Sequence, residues 1–307
     1  MMRRLALGLA LVLAIAPAAR AEVHDSLPDL ISTWVSMQED PEPEWEIAWL
    51  RYEAAESSFL DPTLYAGRTA VSKGVLLDAT VAEMRGHFPD RMKQLAVFEQ
   101  NWGGDLAAVN EGLRREFNTV PQLELYLAFS MSPAKLAIGE LAGKPSVCVN
   151  ARRLLPYRSE PTRVLLARYL FETLLPRWQR TNSVGDRLHL EGMDLWGASR
   201  ILPGLGLEDL LEVPASQLQA YSAGRARYAA QLLAALDSKD PVIVKRFFGG
   251  VQPVGWQPDA GRYLGLLVVR DIAQEIGQEK VPGMPHAEFM TRARRALVRL
   301  AGPQVNP

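Results

Sequence analysis

One short stretch of alternating apolar and polar residues lies between two long regions of helical periodicity, and it constrains the fold more than any other feature. Gln122–Phe129 alternates with a period of two, which is typical of a half-buried strand. Ser146–Asn150 has the composition of a second strand, and the stretch 135–141 between them is ambiguous. A small sheet or hairpin inside a helical chain predicts an α+β fold that is mainly α.

The regions on either side carry apolar residues at i, i+3 and i+4 spacing, which predicts amphipathic helices. The predicted helices cover 25–38, 45–55, 75–87, 90–100, 104–117, 161–178, 188–200, 214–237, 241–248, 260–277 and 286–300. Asn101-Trp102-Gly103-Gly104 predicts a break between two of them. Pro176 predicts a kink or an end near Leu175, because proline cannot continue the helical hydrogen bonding.

Residues 1–21 have the features of a cleavable signal peptide. Arg3 and Arg4 precede an apolar run at 5–15, and Ala19-Arg20-Ala21 supplies the small-x-small pattern that signal peptidase recognises. That run is too short for a comfortable membrane span, and no later stretch is long enough. We therefore expect an exported, soluble chain in the periplasm or outside the cell. A retained N-terminal anchor is the alternative.

The charge balance argues against a nucleic-acid partner. Removal of residues 1–21 takes away three arginines and no acid, which leaves 31 basic against 35 acidic residues, a net charge of −4. Nucleic-acid binding requires a basic patch, and none is evident. Cys148 is the single cysteine of the chain, which precludes an intramolecular disulfide, and we expect it to be a small buried residue of the second strand.

The order of elements after the alternating stretch is that of a zincin-type metallopeptidase. Short strands precede a long buried helix, a polar linker at 179–187 and a second helix that begins at Leu188. In that plan the first helix carries His-Glu-x-x-His, whose two histidines share one helix face and bind zinc. The glutamate is the general base for the zinc-bound water, and a third ligand, often glutamate, comes from the next helix.

Four blocks give the chain a resemblance to the predicted zinc-dependent proteases of the gliding-motility-lipoprotein-like group, the domain-of-unknown-function 2268 family. They are Leu123–Phe129 with Val147–Arg152, Leu165–Leu175, Glu191–Trp196 and Gly261–Val269. The resemblance implies a zincin-like domain at 119–302, in which 161–178 is a degenerate active-site helix. A helical region at 22–118 would precede it, so that the small sheet would lie between an N-terminal helical layer and a C-terminal helical bundle.

The resemblance also implies that the zinc ligands have been lost. Placing Glu172 on the family's catalytic glutamate puts Phe171 and Leu175 at the two histidine positions, and neither side chain can bind a metal. Glu172 is then a remnant general base, while Glu191 and His189 are remnant pocket residues. We expect no cofactor and no peptidase activity, since Glu172 would have no activated water to deprotonate.

Each of these residues also has a plain structural interpretation. Phe171 and Leu175 fit the apolar stripe of their helix as core residues. Glu172 follows Arg168 by four residues, a spacing that suits an ion pair on one helix. Glu191 could equally serve as a helix cap or as an ion-pair partner.

Three functions remain open from the sequence, and we favour the first. A pseudopeptidase would bind a peptide or protein partner along an edge strand formed by Leu123–Phe129 or Val147–Asn150. An active zinc-dependent protease would need an atypical ligand set in which Glu172, Glu191 and His189 converge. A helical envelope interaction protein would have no cleft beside Glu172 and Glu191 and would require no metal.

Overall fold

The structure is a computed structural model that describes residues 22–37, 45–84, 87–132, 136–141, 143–155, 159–176, 178–179, 181–249, 257 and 259–302. Over these ranges the chain forms fourteen α-helices and one four-stranded sheet, which confirms the predicted α+β, mainly α class. The predicted signal peptide at 1–21 lies outside the described residues. Every helix within them is too short or too polar to traverse a lipid bilayer.

The elements follow one another as a strand, five helices, three strands and nine helices in the described part of the chain. They are β1 (Glu22–Asp25), α1 (Leu27–Met37), α2 (Trp45–Ala55), α3 (Ser57–Leu60), α4 (Ala70–Met84), α5 (Phe88–Phe117), β2 (Glu124–Ala128), β3 (Leu136–Leu141), β4 (Lys144–Asn150), α6 (Ala151–Leu154), α7 (Ser159–Glu172), α8 (Val184–Ile201), α9 (Leu207–Leu211), α10 (Ala215–Ala223), α11 (Arg225–Ala235), α12 (Pro241–Phe248), α13 (Ala260–Ile276) and α14 (His286–Ala301).

The strands of the sheet lie in the order β1-β2-β4-β3. β1, β2 and β4 are parallel, whereas β3 runs antiparallel to β4, with Ile138 opposite Val147. The edge strands predicted from the sequence are therefore wrong, since β2 and β4 are the inner strands. The physical reason is that β1 adds to the outer side of β2, and residues 136–141 of the ambiguous stretch fold back onto β4.

The two faces of the sheet contact different helices. Leu125, Leu127 and Val149 on one face belong to the main core, which they share with α5, α7 and α8. On the other face, Cys148 is fully buried against the α3 region, including Phe59. Burial raises the pKa of the Cys148 thiol to about 12, so this side chain is a neutral packing residue, as expected from the sequence.

The predicted break at Asn101-Trp102-Gly103-Gly104 is wrong, because α5 runs through it as a single helix. Gly103 and Gly104 lie on the exposed side, whereas Trp102 is only 5% exposed and belongs to the core. Burial of the tryptophan face outweighs the cost of two glycines in a helix, about 1 kcal/mol each. The break near Pro176 is confirmed in substance, since α7 ends at Glu172.

Close helix crossings position the residues of the candidate site. α8 contacts α7 on one side and α13 on another. At the α8–α13 crossing, a Cβ on Gly192 would lie 2.6 Å from the carbonyl oxygen of Gly265, so only glycine fits there. This close approach brings Arg262 of α13 next to Glu191 of α8.

Candidate functional site

Arg168, rather than Phe171 or Leu175, is the α7 residue that meets Glu191. Its Nη2 atom donates a hydrogen bond to Glu191 Oε2 at 2.7 Å, and its Nη1 atom lies 4.0 Å from Glu212 Oε1. The arginine is only 8% exposed. Burial disfavours its charge, but the carboxylates around it, Glu191 foremost, outweigh burial and raise the pKa of Arg168. The guanidinium therefore remains a cation inside the protein.

Glu191 is surrounded by guanidinium groups from three helices. Besides Arg168 of α7, Arg187 Nη2 lies 3.6 Å from Oε1, and Arg262 Nε lies 3.6 Å from Oε2. Arg262 also donates from Nη1 to the carbonyl oxygen of Leu211 at 3.2 Å. Burial, reinforced by the charge of Arg168, lowers the pKa of Arg262. Glu191 is thus an ion-pair centre that ties α7, α8 and α13 together, which agrees with its plain structural interpretation.

Zinc, which the family resemblance implies, does not fit these residues. The Phe171 ring lies 5.0 Å from the Phe117 ring and 5.9 Å from that of Trp196, and a Cβ on Gly197 would touch it at 2.3 Å. Leu175 is 7% exposed and, like Phe171, offers no donor atom. The carboxylate of Glu191 faces cations that would repel a metal ion. Within the described residues, no group of three or more His, Cys, Asp or Glu side chains could hold a metal.

Glu172, one turn after Arg168, lies in a different environment. Its side chain lines a cleft of about 750 Å³ beyond the end of α7. One side of this cleft is formed by 172–176 with Trp178, another by 138–140 of β3, and a third by the segment 119–123 that precedes β2. Leu175 lines the same cleft. Glu172 and Glu191, for which the resemblance implies the roles of remnant base and remnant third ligand, therefore occupy separate places.

His189 belongs to a third group, an aromatic stack at the start of α8. It is 2% exposed, and its Nδ1 atom lies 2.8 Å from His286 Nδ1, with the two rings inclined by only 20°. Phe289 stacks on His189 at 3.9 Å and Trp178 at 4.4 Å. Because two nearly coplanar rings share one N–H···N hydrogen bond, one ring must donate and the other accept. His189 thus helps to dock α14 onto α8.

Asp186 holds the outer end of this stack. His286 Nε2 lies 3.1 Å from its Oδ1, and its Oδ2 accepts hydrogen bonds from the backbone and hydroxyl of Thr181. With Ser183 it forms the capping box that starts α8. Burial pushes the pKa of Asp186 upward, but the hydrogen bonds from Thr181 and Ser183 and the charge of His286 outweigh it, so this pKa is lowered.

Sequence reasoning missed the role of Arg168, although the sequence carries a signal for it. A charged residue interrupts the apolar stripe of a helix whose neighbours, such as Leu165 and Leu170, are buried. Arginine is almost never buried unless it is paired, so its position predicts an ion pair with another element. Nothing local identifies the partner, since Glu191 lies 23 residues further along the chain.

The five residues singled out from the sequence thus occupy four separate environments. Phe171 is a core residue, Glu172 and Leu175 line the cleft, Glu191 joins the arginines, and His189 lies in the aromatic stack. The atypical ligand set of Glu172, Glu191 and His189 does not form a metal-binding group in the described structure. Comparison with known proteins finds no protein family, curated protein or solved structure that matches the chain.

Proposed function

We propose that this protein is an exported relative of zinc peptidases that lacks peptidase activity and acts by binding a peptide or protein partner in the cleft beside Glu172. The observation that carries the proposal is the ion pair between Arg168 and Glu191. It joins the helix after the small sheet to a glutamate of the next helix, the two helices that supply zinc ligands in the zincin plan. On this proposal, the guanidinium group of Arg168 takes the place of the metal in that plan.

The ion pair between Arg168 and Glu191 favours a different alignment of the His-Glu-x-x-His motif on α7 from the one expected. Arg168 and Glu172 are four residues apart, the spacing of the two histidines in His-Glu-x-x-His, and Tyr169 then takes the place of the general base. Arginine cannot act as a metal ligand, because it has no lone pair to offer. Tyr169 is a poor base, since burial raises the pKa of its hydroxyl.

The remaining surface suits binding rather than catalysis. A cleft of about 750 Å³ lies within the usual range for ligand-binding pockets, and one of its sides is β3, an edge strand of the sheet. Zincin clefts take extended peptides beside an edge strand, and this mode of binding depends on main-chain hydrogen bonds rather than on a metal. The chain can therefore have lost hydrolysis while it retains recognition.

The first test is the zinc content of the purified chain, measured by elemental analysis after dialysis against metal-free buffer, together with a peptidase assay. We expect almost no bound zinc and no cleavage. One zinc per chain with peptidase activity that is lost in Glu172→Gln would instead establish the atypical active protease. The export part of the proposal predicts a mature protein whose N-terminal residue is Glu22.

An experiment that rebuilds the zinc-binding motif tests this alignment on α7. The variant Arg168→His/Tyr169→Glu/Glu172→His, combined with Arg187→Gln and Arg262→Gln to remove the other cations around Glu191, places the motif opposite this carboxylate, and we expect it to bind about one zinc per chain. The matched control is Phe171→His/Leu175→His, which restores histidines around Glu172 in the register first expected and should bind none. Circular dichroism on both variants verifies folding. Zinc binding by the control alone would contradict the Arg168 register.

A further inference from the structure

A second cavity, of about 770 Å³, lies between the middle of α5 and the beginning of α7. We name it the α5 groove. It is walled by residues between 93 and 105 of α5, by Leu155 after α6, and by Thr162 and Arg163 of α7. In the described part of the chain it shares no lining residue with the cleft at the other end of α7. The α5 groove is therefore a separate candidate site, which the proposed function does not use.

The face of α5 that lines the groove repeats at intervals of three and four residues. Lys93, Val97, Gln100 and Gly104 all line the groove, and this spacing places them on one ridge of the helix. All four residues are exposed, and Val97 is 59% exposed. At a rise of 1.5 Å per residue the ridge is about 17 Å long. Such a ridge has the form of a surface that packs against another helix.

Gly104 keeps the floor of the groove low. A Cβ at this position would meet no atom within 4 Å, so packing within the described chain does not require a glycine there. A glycine inside a helix costs about 1 kcal/mol relative to alanine. Gly192 has a packing reason elsewhere in this protein, because it meets Gly265 where α8 crosses α13. Gly104 offers the same close approach on α5, and a ligand backbone that passes this point would account for the glycine.

The charged groups of the groove leave cations available for a ligand. Among the described lining residues the charged ones are Lys93, Asp105 and Arg163. Arg163 Nε donates to Asp105 Oδ1 at 2.7 Å, while its side chain is 42% exposed and its Nη atoms are open. Lys93 Nζ lies 3.6 Å from Asp90 Oδ1, a surface pair that contributes little. Lys93 and Arg163 lie towards opposite ends of the groove, so an elongated ligand with acidic groups is favoured.

We infer that the α5 groove binds an acidic amphipathic helix of a partner protein. The apolar side of that helix covers Val97 and Phe98, and its backbone passes close to Gly104. Its acidic side chains, one towards each end, face Lys93 and Arg163. Helices dock in grooves through residues at i, i+3, i+4 and i+7, which matches the ridge of α5. An extended strand fits less well, because helical walls have no unpaired backbone groups with which it could pair.

The test uses the full purified chain and three fluorescein-labelled peptides, with affinity measured by fluorescence anisotropy. The first peptide is acetyl-Glu-Ala-Gln-Ala-Leu-Ala-Gln-Leu-Ala-Gln-Ala-Leu-Ala-Gln-Glu-amide, which as a helix has leucines on one face between two glutamates. The second replaces both Glu with Lys, and the third replaces the central Leu with Pro, which breaks the helix. We expect the first to bind saturably and each of the others at least tenfold more weakly. No saturable binding of the first peptide up to about 1 mM overturns the inference.

Two pairs of variants locate the site, and circular dichroism verifies that each is folded. Gly104→Leu fills the floor of the groove and should weaken binding of the first peptide more than tenfold. Gly103→Leu is its matched control and should not, since a Cβ there also meets no atom within 4 Å but lies outside the groove. Lys93→Glu should raise the Kd about three- to tenfold. Lys239→Glu, exposed between α11 and α12, makes the same change in net charge and should leave the Kd unchanged. Equal effects within either pair would overturn the site.

Sedimentation analysis of the unlabelled chain distinguishes a partner protein from a second copy. A dimer that dissociates with Gly104→Leu but persists with Gly103→Leu would show that the groove serves another copy of this chain, and would overturn the separate partner. The inference does not depend on the proposed function, because the two sites share no described lining residue. Stoichiometric zinc with peptidase activity would overturn the proposed function alone, and failure of the peptides to bind the α5 groove would overturn this inference alone.

Discussion

One turn of α7 separates two regions. One is a closed charge cluster formed by Glu191 with Arg168, Arg187 and Arg262, and the other is the open cleft beside Glu172. The side chain of Arg168 is 10% exposed and hydrogen-bonded to Glu191, whereas Glu172, four residues later, lines a cleft of about 750 Å³. The helix ends at Glu172, so α8 covers Arg168, whereas Glu172 lies at the border of the cleft. A buried ion pair between helices stabilises their packing. A charge on a cleft wall can contribute to recognition.

Replacing Arg168 is expected to give the largest effect on stability. Arg168→Met leaves Glu191 in the interior with weaker contacts to Arg187 and Arg262, and we expect the free energy of unfolding to fall by about 3 kcal/mol. Glu172→Gln on the same helix should change it by less than about 0.5 kcal/mol. Urea unfolding of both variants measures the difference. Similar losses would show that the two sites do not differ as proposed.

The close crossing of α8 and α13 supports only the closed cluster, and its disruption should have the next largest effect. In Gly192→Ala the new methyl group meets the backbone of Gly265, which cannot move aside as a side chain could, and we expect a loss of about 2 kcal/mol. Gly103→Ala on the open side of α5 is the control and should raise stability by about 1 kcal/mol. Thermal unfolding compares them, and tolerance of Gly192→Ala would contradict the crossing geometry.

The aromatic stack lies between the two regions, because Trp178 both lines the cleft and stacks on His189. Asp186→Asn weakens the cap of α8 and the contact with His286, and we expect a loss of about 1 kcal/mol at pH 7. The folded-state pKa of Asp186 is lowered. Its contribution is therefore complete above its unfolded pKa, about 3.9, and disappears as the pH falls through the folded value.

Urea titrations of the Asp186→Asn variant and the parent chain at pH 7, 5 and 3 measure this dependence, because the last of these lies below the unfolded pKa. The difference in unfolding free energy should be largest at pH 7 and should shrink in acid. A difference that grows in acid would contradict the sign.

Most of the helices and the inner strands were predictable because they depend on local periodicity. The helix predicted at 214–237 is an exception, since Gly224 separates it into α10 and α11. β2 lies in the alternating run and β4 covers the second predicted strand, and α12, at Pro241–Phe248, has the predicted bounds. β3 was ambiguous and β1 was not predicted, because a short edge strand is stabilised by its neighbour rather than by its own pattern. The edge assignment failed for the same reason, since strand order is a property of pairing.

The sequence by itself determined the mainly helical α+β class and the absence of donor atoms at Phe171 and Leu175, because residue type and period are local properties. Only the tertiary structure decided that Arg168 meets Glu191, that His189 meets His286 97 residues later, and that Glu172 lines a cleft. These contacts join residues far apart in the chain. They depend on how helices cross and strands pair, and no short segment carries that information.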